Sequence, residues 1–239
     1  MKKLLLPVLA LLTLQSFGQR WKSIRGNGNM TQATRTVEPY TGINSQGSWN
    51  IVIKEGTPGN LTLEGDENLI PYLETIVKNG VLTIRPKDGV NLRSTHRMTV
   101  EVPMNQIKSL KISCSGDIKG KGVFTNDGQT DIAVSGSGNL ELEFDTFTDL
   151  DVQVSGSGKV QMKGNTRSLK AHVSGSGNID CRNTRTNDLT AMVSGSGNIR
   201  VNADKSIHAV VSGSGNVFYT GNPEKVEKVT SGSGKVIKM

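Results

Sequence analysis

The chain has 239 residues, 28 of them glycine and only 4% aromatic, which suits one elongated domain and argues against a compact globule built on large side chains. The formal net charge of +7, which is +5 (26 basic against 21 acidic residues) without Lys2 and Lys3, permits weak attraction to anionic glycans or lipids. The basic residues are spread among the acidic ones without a dense run, so nucleic-acid binding has no specific support.

Residues 1–18 read as a secretory signal: Lys2 and Lys3 give a charged start, Leu4 to Leu14 an apolar run, and Ser16-Phe17-Gly18 a cleavage region ending before Gln19. The apolar run is too short to span a bilayer, so no integral membrane span is expected after its removal. Residues 19–36 form a polar leader. Residues 37–106 are β-rich but irregular, with alternation over Asn50–Lys54, Leu61–Glu64 and Met98–Val102. Leu73–Lys78 and Val81–Arg85 flank Asn79-Gly80, a strong hairpin signal. Asp66–Tyr72 fits one helical turn with Asp66 as N-cap. Residues 37–106 are expected to cover the open end of the regular coils at 107–239 or to form their first, irregular turns.

Residues 107–239 are governed by a repeat. Ser135-Gly136-Ser137-Gly138 recurs from Ser155, Ser174, Ser194, Ser212 and Ser231, at spacings of 20, 19, 20, 18 and 19 residues. A divergent copy, Ser113-Cys114-Ser115-Gly116, precedes them. The position before each full phrase reads Val134, Val154, Val173, Val193 and Val211, with Thr230 before the last. Three before reads Ile132, Val152, Ala171, Ala191 and Ala209, and five before reads Thr130, Leu150, Leu169, Leu189 and Ile207. Polar residues intervene, and the alternation resumes afterwards through Leu140, Val160, Ile179, Ile199 and Val217. This is the period of a half-buried strand.

Each unit therefore reads as strand, tight glycine turn, strand and a polar loop such as Lys163–Ser168. One unit cannot bury its apolar face, but stacked units can. The expected fold is all-β: a right-handed, single-stranded parallel β-helix with about 19–20 residues per coil. Asn139, Asn178, Asn198 and Asn216 follow the phrase and predict a partial amide ladder. In the last copy Lys228, Thr230 and Lys238 take inward columns, which marks a polar cap.

Two surface features are candidate contact sites. Ser135, Ser155, Ser174, Ser194, Ser212 and Ser231 would line a thin ridge that a partner could approach closely, although turn chemistry alone explains the phrase. Two outward columns, Ala133-Gln153-His172-Met192-Val210-Val229 and Glu141-Gln161-Asp180-Arg200-Phe218-Ile237, become apolar toward the C-terminus. Met192, Val210, Phe218, Val229 and Ile237 then form either an interface, for which a homo-oligomer is one candidate, or a surface covered by the chain's own N-terminal part.

Catalytic and metal signals are weak. Cys114 and Cys181 fall several coils apart, too far to bridge, and no zinc spacing occurs. His96, His172 and His208 do not converge with a serine and an acid. Asp131 and Asp151 should stack in one outward column continued by Lys170, Thr190 and His208. That column is a catalytic or glycan-binding strip, or more simply a solvated charged face. Only Asp117 is acidic at the turns, too few oxygens for calcium, and no cofactor is expected.

The tandem copies resemble the head GIN-domain family of autotransporter adhesins. Upstream, Arg25-Gly26-Asn27-Gly28-Asn29, Val37–Ile43, Gly47–Ile53 and Glu64–Leu69 resemble that family's opening, so the likeness spans about residues 36–239. The resemblance implies a pectate-lyase-like right-handed β-helix, export from the cytoplasm and an adhesion role without recognised catalytic residues. The expected function is an exported, non-enzymatic binding or adhesion module that contacts an envelope protein, a glycan or another copy of itself. Its location would be periplasmic, outer-membrane-associated or extracellular. The alternatives are a β-helix carbohydrate-active enzyme and a structural envelope scaffold.

Overall fold

The computed structural model describes residues 21–239, so the signal expected at 1–18 lies outside the described residues. The fold is a β-solenoid of about six turns, without an α-helix among the described residues. Two long parallel sheets form it. One contains Val81–Pro86, Gly42–Gln46 and Ser109–Cys114, and continues through residues 131–136, 151–156, 170–175, 190–195 and 208–213 to Lys225–Gly232. The other contains Thr99–Met104, Asn50–Glu55 and Asp117–Lys121, and continues through residues 139–143, 159–163, 178–181 and 198–202 to Asn216–Thr220 and Lys235–Lys238.

The register aligns the repeats as their spacing requires. Leu150, Leu169, Leu189, Ile207 and Val226 are successive partners. So are Val134, Val154, Val173, Val193 and Val211, all essentially sealed from solvent. Equivalent aliphatics thus fill one continuous core, because each coil leaves its inward row open until the next coil covers it.

The stack begins earlier than Ile107. The coil of Gly42–Gln46 and Asn50–Glu55 lies between that of Ser109–Cys114 and an outer one made by Val81–Pro86 and Thr99–Met104. Spatial order therefore departs from chain order here, which a one-dimensional repeat cannot reveal. The outer coil's edges are covered by antiparallel strands. Leu73–Lys78 returns onto Val81–Pro86 through the Asn79-Gly80 turn, both residues at positive φ. Asn60–Asp66 pairs with Thr99–Met104, and Met30–Thr36 pairs with Asn60–Asp66. The N-terminal part thereby closes one end of the solenoid's sheets.

Three local expectations change. The polar leader carries two strands, Lys22–Arg25 and Met30–Thr36, because its alternating residues pair with Val90–Arg93 and Asn60–Asp66. The helical turn is a short 3-10 segment, Ile70–Tyr72, entered from Leu69 without a side-chain cap. Asp66 is instead held by Gly28 and Thr95. The loop expected over Lys163–Ser168 is part of an unbroken strand, Lys159–Gly175, with a register shift at Gln161/Lys163. Its polar side chain turns inward and is satisfied there: Thr166 Oγ1 lies 3.0 Å from the Ser168 carbonyl and 3.2 Å from that of Thr148. Thr186 repeats the arrangement one coil on, against Arg167 and Asp188. Such bulged corners absorb the 18-to-20-residue variation in coil length.

Candidate contact surfaces

The serine–glycine corner joins the two sheets. The first glycine of each full phrase has φ between +107° and +119°, a region that side-chain-bearing residues avoid. From Gly136 to Gly195 its carbonyl takes two N–H donors from the next coil, as Gly156 does from Ser176 at 2.9 Å and Gly177 at 2.8 Å. The second glycine is buried for a different reason: a methyl group on Gly197 would run into the Gly177 carbonyl and Val173. Ser135, Ser155, Ser174, Ser194, Ser212 and Ser231 are all exposed along the corner. Among the described residues no acid or imidazole is hydrogen-bonded to them, and the ridge offers hydrogen bonds and close backbone approach. Beside it, Asn216 donates to Asn198 and Asn198 to Asn178, each at 3.2 Å, which forms the expected amide ladder.

The two outward columns align as their sequence spacing requires. Met192, Val210 and Val229 are successive partners on one sheet, and Arg200, Phe218 and Ile237 on the other. Met192 is 42% exposed, Val229 54% and Ile237 37%, while Val210 and Phe218 are half-buried. The Arg200 guanidinium stands 5.1 Å from the Phe218 ring centroid. The described N-terminal strands pair at the opposite end of the stack, so they do not cover these side chains. The apolar set is split by the serine ridge, with Met192, Val210 and Val229 on one side and Phe218 and Ile237 on the other.

Asp131 and Asp151 do stack, followed by Lys170, Thr190, His208 and Glu227. Gln129 Nε2 donates to Asp131 at 2.6 Å, and Gln153 Nε2 to Asp151 at 3.3 Å. Next to them, the Ser168 hydroxyl and then the Arg167 guanidinium hold Asp149 below the ordinary carboxylate range against a burial penalty. Lys225 and then His208 do the same for Glu227. Asp149 and Glu227, ionised and paired, thus suit a solvated face better than the role of a general acid, which needs its proton held. Among the described residues no three His, Cys, Asp or Glu side chains group to hold a metal ion. Both cysteines are free, and burial pushes the Cys181 thiol up to about 12.

Two concavities escaped the sequence reading. A groove of about 570 Å³ is lined by Lys54, Lys119, Lys121 and Lys163 with Glu141 and Glu143. Its lysines are already paired: Lys163–Glu143 at 2.9 Å, Lys121–Glu143 at 3.4 Å, Lys119–Glu141 at 3.5 Å and Lys54–Glu101 at 2.6 Å, while Glu55, which also lines it, accepts from the Val123 main-chain N–H at 3.3 Å. The second, about 440 Å³, lies at the corner's N-terminal end and is lined by both tryptophans of the chain, Trp21 and Trp49. Register places Trp49 where Gly116 stands one coil later, and its ring folds over Gly47. That break in the glycine column was the available signal.

The family model described as "Putative auto-transporter adhesin, head GIN domain" matches residues 39–223. The chain belongs to the head GIN-domain family. Among solved structures, this GIN-domain chain is similar to one described as a "putative adhesin" from Bacteroides fragilis, with TM-score 0.81, 24% identity, and 90% of this chain and 100% of that one covered. It is also similar to a "putative lipid binding protein" from Parabacteroides distasonis, with TM-score 0.65, 26% identity and coverage of 91% and 100%. A "putative adhesin" from Parabacteroides merdae gives TM-score 0.65 at 20% identity, covering 91% and 99%. No curated protein matches the chain. No helix among the described residues is long and apolar enough to cross a membrane.

Proposed function

We propose that this GIN-domain protein is an exported, non-enzymatic binding or adhesion module of the cell envelope, working in the periplasm, at the outer membrane or outside the cell. Membership of an adhesin family supports that reading, and so does a 26% identical neighbour whose description names binding rather than catalysis. The observation that carries it is the change of the outward columns from polar to apolar over the last coils, where Met192, Val229 and Ile237 remain exposed. A row facing only water has no cause to make that change, whereas a contact surface does. The first partner to test is a second copy of the chain, followed by envelope proteins and glycans.

The competing reading is a carbohydrate-active β-helix using Asp131 and Asp151. Residues 19–239 are to be applied to a glycan array and incubated with acidic polysaccharides, with Asp151→Asn alongside. Retention on envelope components without new unsaturated or reducing ends is expected. Product that appears with the wild type and vanishes with Asp151→Asn would replace the binding module by an enzyme.

A further inference from the structure

The corner cavity has the composition of a ligand site. Its walls include Trp21, Trp49, Leu92 and Met98, with Arg85 and Lys87. Trp21 is 57% exposed at the mouth, whereas Trp49 and Met98 are buried. A chain with 4% aromatics has placed both of its tryptophans around one space.

The cations are not equivalent. Arg85 pairs with Glu74 at 3.0 Å and Asp88 at 2.7 Å. Lys87 lies 5.8 Å from the Tyr72 ring centroid and has no acid partner among the described residues. The cavity thus combines aromatic and aliphatic walls with one cation that no acid pairs. Concave sites for small molecules show this division, with apolar walls supplying affinity and a few polar groups fixing orientation.

We propose that the cavity binds a small amphiphilic monocarboxylate, its apolar body against Trp21, Trp49, Leu92 and Met98 and its carboxylate at Lys87. A neutral saccharide would leave the cation unused and gain little from Leu92 and Met98. This assignment stands independently of the contact-module reading, because the cavity lies at the other end of the solenoid from the apolar columns.

Two readouts are built into the chain. All tryptophan emission reports on the cavity, since both tryptophans line it. Cys114 also lines it and is exposed, whereas Cys181 is buried, so alkylation follows one thiol. The full chain is to be titrated with dodecanoate below its micelle concentration and with 4-phenylbutanoate, which separate an acyl from an aryl body. Dodecanol and 4-phenylbutanol serve as uncharged counterparts. At least one carboxylate should shift the emission saturably and slow iodoacetamide labelling of Cys114 several-fold. Its alcohol should bind about tenfold more weakly, and Lys87→Glu and Trp21→Ala should each weaken the acid by about tenfold, the loss of one charge-assisted or aromatic contact. Neither carboxylate acting, alcohols matching the acids, or maltotriose producing the shift in their place would overturn the assignment.

Discussion

Cys114 pairs in register with Gly136, and the two share an unusual backbone, φ +106° and φ +114°. Cys114 thus occupies a position that every later coil gives to glycine. A Cβ in this region costs about 1–3 kcal/mol, more than the roughly 0.5–1 kcal/mol that glycine's freedom costs in the unfolded chain. Cys114→Gly is therefore expected to stabilise by about 1 kcal/mol, a rise of about 2–4 °C in the unfolding midpoint. Calorimetry checks it; a lower midpoint would show that the side chain makes a compensating contact.

The second glycine of the phrase is required by closeness and not by φ. Gly197→Ala drives a methyl group into the Gly177 carbonyl, whereas Gly128 has no neighbour within 4 Å of an added Cβ. Gly197→Ala should destabilise by about 3 kcal/mol or more, and Gly128→Ala should stay within about 0.5 kcal/mol of wild type. Denaturant midpoints of the two variants test this directly.

Much of this was legible beforehand, since a strict 18-to-20-residue period fixes which side chains stack. Leu169 must lie beside Leu189 once Ser174 lies beside Ser194. The loop expected at Lys163–Ser168 fails at Thr166, because a polar residue at a corner is indistinguishable from a loop until its carbonyl partner is known. Trp21 and Trp49 are 28 positions apart and belong to no common repeat, so their meeting depends on the reordered first coils. The periodic outward rows could be read, whereas of the cavity only Trp49's break in the glycine column could.

Lys159 interrupts the amide ladder between Asn139 and Asn178. Lys159→Asn would let the row run unbroken from Asn139 to Asn216. A gain of about 0.5–1.5 kcal/mol is expected for the added hydrogen bonds. Conversely, Asn198→Ala removes the central member and should cost about as much or more, as thermal unfolding would record.

Asp66 ties the Gly28 turn to the Thr95 loop. Burial opposes its ionisation, but donors from the Thr95 side chain and main chain, Gly28 and His96 outweigh that and hold its pKa below the ordinary 3.8. A folded-state pKa below the unfolded one means that the folded chain binds fewer protons, so stability rises with pH across this range. The contribution is complete above the unfolded value and is lost as pH falls through the lower folded one. Wild type should therefore lose stability below about pH 4 more steeply than Asp66→Asn, which should already be destabilised by about 1–3 kcal/mol at neutral pH. Parallel pH profiles for the two would contradict the latch.

Light scattering on residues 19–239, with and without the paired change Val210→Lys and Phe218→Lys, tests most directly whether the apolar columns are a contact surface. The wild type is expected to have a mass that is a multiple of the single chain at micromolar concentration, and the variant a single-chain mass with unchanged circular dichroism. Equal masses for the two proteins would contradict it.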